Sequence, residues 1–156
     1  MEQKRAARLA FDLMKTAKAA YLTTIDEHGY PETRAMLNLR NSDKYPKLAD
    51  IFSRDKADFS TYFTTNNSSP KMGRVLANSK ACVYYSKPDE WRGLMMAGEL
   101  EPVEDNETKN SLWQSGWTIY YPGGSTDPDY ALLRLRPSFL QGYHQMEHYR
   151  LETGDV

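Results

Sequence analysis

The segment 62–85, YFTTNNSSPKMGRVLANSKACVYY, changes its backbone preference twice and constrains the fold more than any other part of the chain. Residues 59–65 are rich in β-forming side chains, and they give way to the turn formers Asn66-Asn67-Ser68. Ser69-Pro70 follows. Serine is a good helix N-cap and proline suits the first helical position, so we predict a helix start there. With the apolar run 81–85, the segment predicts a strand–helix–strand unit.

Lys71 would lie in the first turn of this helix, beside backbone N–H groups that have no helical partner. A cation gains nothing from the helix dipole at that end, but it is well placed if an anion binds there. Loop amides, the Lys71 ammonium and the hydroxyls of Thr64, Thr65, Ser68 and Ser69 can together hold a phosphate. A solvated surface lysine is the ordinary alternative, and the residues alone leave both open.

The composition describes one domain, residues 1–156, with a net charge of −1. Acidic and basic residues are interspersed, so the chain has no electrostatic footprint for nucleic acid. No apolar run reaches the roughly 20 residues that span a bilayer. Residues 1–8 are charged and no apolar leader segment follows them, so we expect a cytoplasmic protein without a membrane partner.

Hydrophobic periodicity predicts mainly strands with a few helices. The chain should begin with a helix over about 2–17, followed by a hairpin of strands 19–25 and 31–39 around the turn Asp26-Glu27-His28-Gly29. A short helix is predicted at 46–54. A further helix should start at Asp105 or Asn106 and reach residue 117. The remaining strands are predicted at 91–103 and 130–136, with a last, bent strand over 138–149.

Two arginines could add positive charge to a phosphate site. Strand alternation puts Arg34 on one face with Glu32 and Met36, where it either forms an ion pair or forks onto a phosphate. Arg74 lies three residues after Lys71 on the same helical side, and the sequence favours a solvated side chain there.

Other reactive residues have structural interpretations. Cys82 lies in an apolar strand and is predicted to be a small core residue. His144 and His148 lack a third ligand nearby, so no metal site is expected. Trp113 and Trp117 are four residues apart on the predicted helix, which favours core packing on one face.

The order of these motifs resembles the signature of the pyridoxamine 5'-phosphate oxidase-like, FMN-binding split-barrel family. The matching positions run from about residue 19 to about residue 143. They are Thr33-Arg34-Ala35-Met36, Phe63-Thr64, Ser69-Pro70-Lys71, Asn78 with the strand 81–85, and a segment that begins at Tyr121-Pro122 and ends at Asp127-Pro128-Asp129-Tyr130.

The resemblance implies a mainly β (α+β) fold, a six-stranded antiparallel split β-barrel with peripheral helices. It also implies a homodimer that holds FMN at the subunit interface and acts as an oxidoreductase. The cofactor-binding residues that it implies are Arg34, Ala35, Met36, Leu37, Phe63, Thr64, Thr65, Ser69, Lys71, Trp113 and Tyr143. Trp113 belongs to a region whose aromatic residues line the dimer cleft in that family.

Two departures separate this chain from the oxidase itself. The Arg-x-His that holds the phosphorylated substrate is replaced by Arg150-Leu151-Glu152, and Tyr143 stands in place of a tryptophan. The chain therefore resembles the general-stress-protein branch, with an unknown substrate and reductant. A non-catalytic flavin or haem carrier, or a reductase using the deazaflavin F420, remain alternatives on the same fold.

Overall fold

The computed structural model describes residues 1–55 and 58–155, which form four α-helices and seven β-strands. The helices are α1 (Gln3–Thr16), α2 (Pro46–Phe52), α3 (Pro70–Ala77) and α4 (Asn106–Leu112). The strands are β1 (Ala19–Ile25), β2 (Pro31–Leu37), β3 (Thr61–Asn66), β4 (Lys80–Lys87), β5 (Arg92–Pro102), β6 (Tyr130–His144) and β7 (Glu147–Glu152). The mainly β class is confirmed.

Six strands form a curled antiparallel path in the order β2-β1-β4-β5-β6-β3. The predicted six-stranded split barrel is therefore confirmed, and β7 adds a seventh strand beside it. The long strand β6 pairs with β5 along one edge, while its other edge pairs first with β3 and then with β7. Consequently β2 and β3 form the two ends of the path.

The prediction of one bent strand over 138–149 was wrong. Strand β6 continues through Pro137, although proline has no backbone N–H to donate to the neighbouring strand. The pairing tolerates this because the register of β5 against β6 shifts between Ala97 and Gly98, opposite the proline. The chain then reverses at Gln145, which adopts a left-handed φ of 54°, and returns as β7. At Gly98 a Cβ atom would lie 2.1 Å from the Arg136 carbonyl oxygen, so the bulge requires glycine.

The main core fills the curled sheet, and α1 covers one opening of it. The face of α1 that carries Ala6, Ala10, Leu13 and Met14 is buried. A second apolar cluster lies around Trp117, which packs with aromatic residues of the following segment and of β6. Among the described residues, no helix combines the length and the apolar character that a membrane crossing needs.

The helix predicted to reach residue 117 ends early. Helix α4 stops at Leu112, Trp113 is extended with ψ 137°, and a 3₁₀ helix covers Ser115–Ile119. Trp113 packs edge-on against Tyr130 at 5.1 Å between ring centroids, and this tertiary contact outweighs helix continuation next to the weak helix former Gly116. The two tryptophans still meet edge-to-face at 5.8 Å, although they do not share an α-helix.

Cys82 is not a core residue. Its strand neighbours Val83 and Tyr85 are buried inside the barrel, and alternation places Cys82 half-buried on the opposite face of β4. The apolar run 81–85 concealed this alternation, because its residues are apolar on both faces of the strand.

Candidate functional site

A cleft of about 530 Å³ lies where the ends of the strand path, β2 and β3, approach each other beside α3. It brings together seven of the residues that the sequence singled out: Ala35, Met36, Leu37, Thr64, Thr65, Ser69 and Lys71. Lys18, Ala19, Asn66, Tyr120 and Tyr121 complete the lining. Two separate sequence motifs, on β2 and at the start of α3, thus line the same cleft.

The start of α3 is formed as its sequence predicts. Ser69 is extended, its hydroxyl oxygen accepts a hydrogen bond from the Lys71 backbone N–H at 3.2 Å, and Pro70 occupies the first helical position. The cap satisfies one of the free amides and leaves the helix terminus facing the cleft lining. Lys71 follows directly and reaches into the same lining.

The Lys71 ammonium lacks a carboxylate partner. Its Nζ lies 3.5 Å from the Met36 thioether sulfur, and no carboxylate in the described part of the chain lies within 4.0 Å of it. The side chain is half-buried, and this burial lowers the pKa of the Lys71 ammonium. The nearby positive charge of Arg34 lowers the same pKa further. A cation in this situation gains from the arrival of an anion.

Arg34 lies two residues before Met36 in β2, so the two side chains are on the same face of the strand. Its Nη1 donates to the Thr24 hydroxyl at 2.7 Å, and its Nη2 lies 3.3 Å from the Glu32 carboxylate. Burial lowers the pKa of Arg34, and the Glu32 charge opposes that effect. The structure shows the ion pair, and the Arg34 charge acts on Lys71; that Arg34 binds a phosphate stays a prediction.

Arg74 is half-buried and ion-paired, whereas the sequence favoured a solvated side chain. It donates a hydrogen bond to Glu32, and its Nε lies 3.9 Å from Glu27. One face of β2 therefore lies along the first turns of α3, with Met36 against Lys71 and Glu32 against Arg74. Sequence spacing could not reveal this, since the pairing depends on how α3 packs across β2.

The turn before α3 is held by Asp129, whose role the sequence did not reveal. Its carboxylate accepts hydrogen bonds from the Asn66 amide and from the Ser68 backbone N–H at 2.9 Å, and its carbonyl accepts from the Asn67 N–H. These hydrogen bonds lower the Asp129 pKa, with that from Asn66 contributing most. Asp129 therefore fixes the position of the residues that lead into the Ser69 cap.

Four of the eleven predicted residues are not part of the cleft lining: Arg34, described above, and three that lie farther along the chain. Phe63 is only 1% exposed and points into the core, because it alternates with Tyr62 and Thr64 along β3. Trp113 packs in the aromatic cluster around Tyr130, and Tyr143 lies in a different groove, with its hydroxyl 3.4 Å from the Tyr84 hydroxyl. Whether they contact a cofactor stays a prediction.

Two tyrosines that the sequence did not propose line the cleft. Tyr121 is buried and burial raises the pKa of its phenol, which hydrogen-bonds with Thr64. Tyr120 is exposed beside it. The segment containing Tyr121 and Pro122 was noted as a resemblance, but only the fold shows that it reaches this cleft.

The sequence profile described as "Pyridoxamine 5'-phosphate oxidase like" matches residues 6–141. This span is most of the chain. The chain belongs to the pyridoxamine 5'-phosphate oxidase-like family. Its membership confirms the resemblance read from the cleft motifs. No curated protein matches the sequence.

Solved structures place this family member near general stress proteins. A Clostridium acetobutylicum protein related to general stress protein 26 of B. subtilis, of the pyridoxinephosphate oxidase family, shares 26% identity with a TM-score of 0.78, covering 99% of each chain. General stress protein 26 of Bacillus anthracis str. Sterne is 16% identical with a TM-score of 0.70, covering 94% of this chain and 99% of its own.

One structural neighbour is a heme binding protein. A heme binding protein from Mycobacterium smegmatis is 13% identical with a TM-score of 0.68, covering 96% of this chain and 58% of its own. At that identity the likeness concerns the fold alone. The barrel of this chain therefore also occurs in a protein that binds haem.

Proposed function

We propose that this protein binds FMN, as a homodimer, and that it acts as an oxidoreductase. The observation that carries the proposal is the half-buried Lys71 ammonium, which lies near Arg34 at a serine-capped helix start and has no carboxylate partner in the described residues. Arg34 shares the Glu32 carboxylate with Arg74, and no carboxylate of the described residues pairs with Lys71, so the positive charge here exceeds the negative charge and favours an anionic ligand. A phosphate monoester is such a ligand, with about two negative charges at neutral pH.

The residues of the helix start fit a phosphate. Lys71 can approach one oxygen as a mobile point charge, and the hydroxyls of Thr64, Thr65 and Ser69 can donate to others. Arg34 lies behind them, already oriented by its hydrogen bond to Thr24. Charge-assisted hydrogen bonds of this kind contribute roughly 1.5–3 kcal/mol each, so the anchor supports firm retention of the cofactor.

The strand β2 fits the ring system of a flavin. It is the end of the strand path and pairs only with β1 among the described strands, so one edge of residues 35–37 keeps free N–H and C=O groups. Such groups can hydrogen-bond the polar edge of an isoalloxazine. Tyr120 and Tyr121 supply aromatic surface on the opposite side of the cleft.

Bound FMN would supply the hydride and electron transfer chemistry, and the protein would determine where the ring lies. The side chains of the cleft would bind the phosphate, and the free backbone groups of β2 would hydrogen-bond the ring edge. The Glu152 carboxylate, which stands where the oxidase has histidine, would repel a phosphorylated substrate, so pyridoxal phosphate formation is not proposed.

A haem carrier is the alternative that the Mycobacterium smegmatis neighbour suggests. Among the described residues, the cleft lining contains no histidine or cysteine, and its Met36 thioether already contacts Lys71. Haem iron in proteins is usually held by such side chains or by tyrosine, so Tyr120 and Tyr121 are the remaining candidate ligands in this lining. Of the residues present, the cationic helix start suits a phosphorylated flavin better.

The test is the visible spectrum of the purified protein before and after denaturation, with mass measured by light scattering. FMN predicts flavin absorption bands, release of one FMN per chain, and a dimer mass. A Soret band would indicate haem, and a blue-shifted deazaflavin band would indicate F420. A colourless protein that does not take up added FMN would contradict the proposal. FMN retention without reduction by any nicotinamide would leave a flavin carrier.

A further inference from the structure

A second cavity, of about 520 Å³, lies between α1 and α2 and shares no lining residue with the cleft. Its size falls within the roughly 300–1,000 Å³ that is typical of small-molecule sites. Helix α1 contributes Arg8, Phe11 and Lys15, which are spaced by three and four residues and so share one helical face. Helix α2 contributes Ala49 and Phe52 from a matching face.

The cavity contains a buried guanidinium. Arg40 is 5% exposed; its Nε donates to the Ser60 carbonyl at 2.9 Å, and its Nη2 donates to the carbonyls of Asp58, at 2.8 Å, and Ser60. Among the described residues, its Nη1 has no hydrogen-bond partner and no carboxylate lies within 4.0 Å of the guanidinium. The hydrogen bonds of the guanidinium to described residues all go to carbonyl oxygens, and the Asp58 charge acts on it without a close ion pair, so an anion that reaches Nη1 gains a charge-assisted hydrogen bond.

The walls of the cavity are aromatic. The Arg40 guanidinium carbon lies 4.2 Å from the centre of the Phe52 ring. The Phe11 ring stacks on Phe59 at 4.0 Å between centroids, with an angle of 9° between the ring planes. These contacts fix the orientation of both phenylalanine rings that line the cavity. A flat apolar group can therefore pack against rigid surfaces.

The charged side chains around the mouth of the cavity also favour an anionic ligand. Arg8 and Lys15 are exposed bases at the mouth, and the two acids of the lining are Asp12 and Asp55. Asp12 forms an ion pair with Arg92 at 2.7 Å, so its charge is already compensated. The lining therefore carries three bases, Arg8, Lys15 and Arg40, against the two acids.

The cavity is held open by hydrogen bonds that connect the end of α1 to the segment carrying Arg40. The Asn38 amide donates to the carbonyls of Met14 and Ala17, at 2.8 and 2.9 Å. The Ser42 N–H donates to the Lys15 carbonyl at 3.1 Å. Since these contacts do not involve the lining side chains, a ligand can enter without breaking them.

We propose that this cavity binds a small aromatic carboxylate. Arg40 Nη1 would receive the carboxylate, and Phe11 and Phe52 would flank the ring. One buried guanidinium suits a single negative charge on a flat group, whereas the proposed ligand of the cleft near Lys71 is a phosphate. The proposal does not rest on flavin binding, because the two sites share no residue.

The probe is benzoate, titrated calorimetrically into the full chain, with uncharged benzamide as its matched control. Benzoate should bind at least about tenfold more tightly, since only it offers a charged acceptor to Arg40. Ala49→Phe, which fills the cavity without touching the Arg40 hydrogen bonds, should abolish binding. Lys71→Ala should leave it unchanged.

A second variant covers the case in which Ala49→Phe does not fold. Lys15→Glu reverses an exposed charge at the mouth and should weaken benzoate binding about threefold or more, with circular dichroism unaltered. Equal binding of benzoate and benzamide, or no benzoate binding at millimolar concentration, would overturn the proposal. Loss of binding in Lys71→Ala would also overturn it, because the anion would then occupy the other cleft.

Discussion

The two cationic sites of this protein differ in what surrounds the positive charge. In the β2–α3 cleft, Lys71 and Arg34 meet side chains: a thioether, a hydroxyl and a carboxylate. In the α1–α2 cavity, Arg40 meets the backbone carbonyls of Asp58 and Ser60. Side-chain partners can rotate away when a ligand arrives, whereas backbone carbonyls cannot. The cations of the cleft can therefore exchange their side-chain partners for a ligand, whereas the hydrogen bonds of Arg40 also stabilise the fold.

The largest expected effect is on stability, and it separates the two sites. Arg40→Met leaves the Asp58 and Ser60 carbonyls without their donors in a buried place, which should lower the free energy of unfolding by about 2–4 kcal/mol. Arg34→Met should cost less than about 1 kcal/mol, because its ion pair is partly exposed. Urea denaturation of the two variants measures the difference. Equal losses would mean that the sites are not distinct in this way.

The next largest effect concerns the binding of FMN, which we propose for the β2–α3 cleft. Lys71→Ala should raise the dissociation constant for FMN about 10–100-fold, and Arg34→Ala should weaken it in the same direction, since each removes a charge-assisted contact. Lys47→Ala, at an exposed lysine of α2, is the matched control and should bind normally. Fluorescence quenching of FMN gives the constants. Unchanged flavin occupancy in both anchor variants would show that the proposed phosphate site is wrong.

The lowered pKa of Lys71 predicts two opposite pH trends. Above the lowered pKa, folded FMN-free protein has lost a proton that the unfolded chain still holds, so its unfolding free energy rises with pH across that window. FMN binding needs the proton and should fall across the same window, below the ordinary lysine value of about 10.4. Titrations from neutral to alkaline pH test both. Lys71→Met should remove both slopes, and parallel slopes would contradict the assignment.

The smallest expected effect is at Glu32, which Arg34 and Arg74 share. Glu32→Gln removes a negative charge that competes with phosphate and should tighten FMN binding about two- to fivefold. Glu104→Gln, at an exposed residue outside the cleft lining, is the control. Added salt should shrink the difference between the two variants. Weaker binding in Glu32→Gln would mean that Glu32 orients Arg34 rather than competing for it.

Local chemistry predicted the elements around the cleft well. The start of α3 was readable because Ser69 and Pro70 have strong positional preferences that need no tertiary contact. Likewise the hairpin of β1 and β2 turns around Gly29, which adopts a φ of 84°. Features set by short-range geometry could be recognised in the sequence.

Features set by packing could not be read in this way. Trp113 lies outside the helix predicted for it because it packs against Tyr130, and Arg74 of α3 pairs with Glu32 of β2. The Arg40 cavity was missed altogether, because nothing near residue 40 in sequence shows that α1 and α2 lie on either side of it. These positions depend on contacts between residues that are far apart in the sequence, and a single sequence does not show which residues make such contacts.

The double pairing of β6 has a consequence for the order of events during synthesis. Thr64 of the cleft pairs with Leu132, so β3 has no neighbour in the sheet until the ribosome has made the second half of the chain. Such long-range closure is slow, and the nascent N-terminal half would expose the unpaired edge of β3 meanwhile. The cleft beside α3 is therefore one of the last features to form, and the FMN that we propose should bind there only after translation has passed β6.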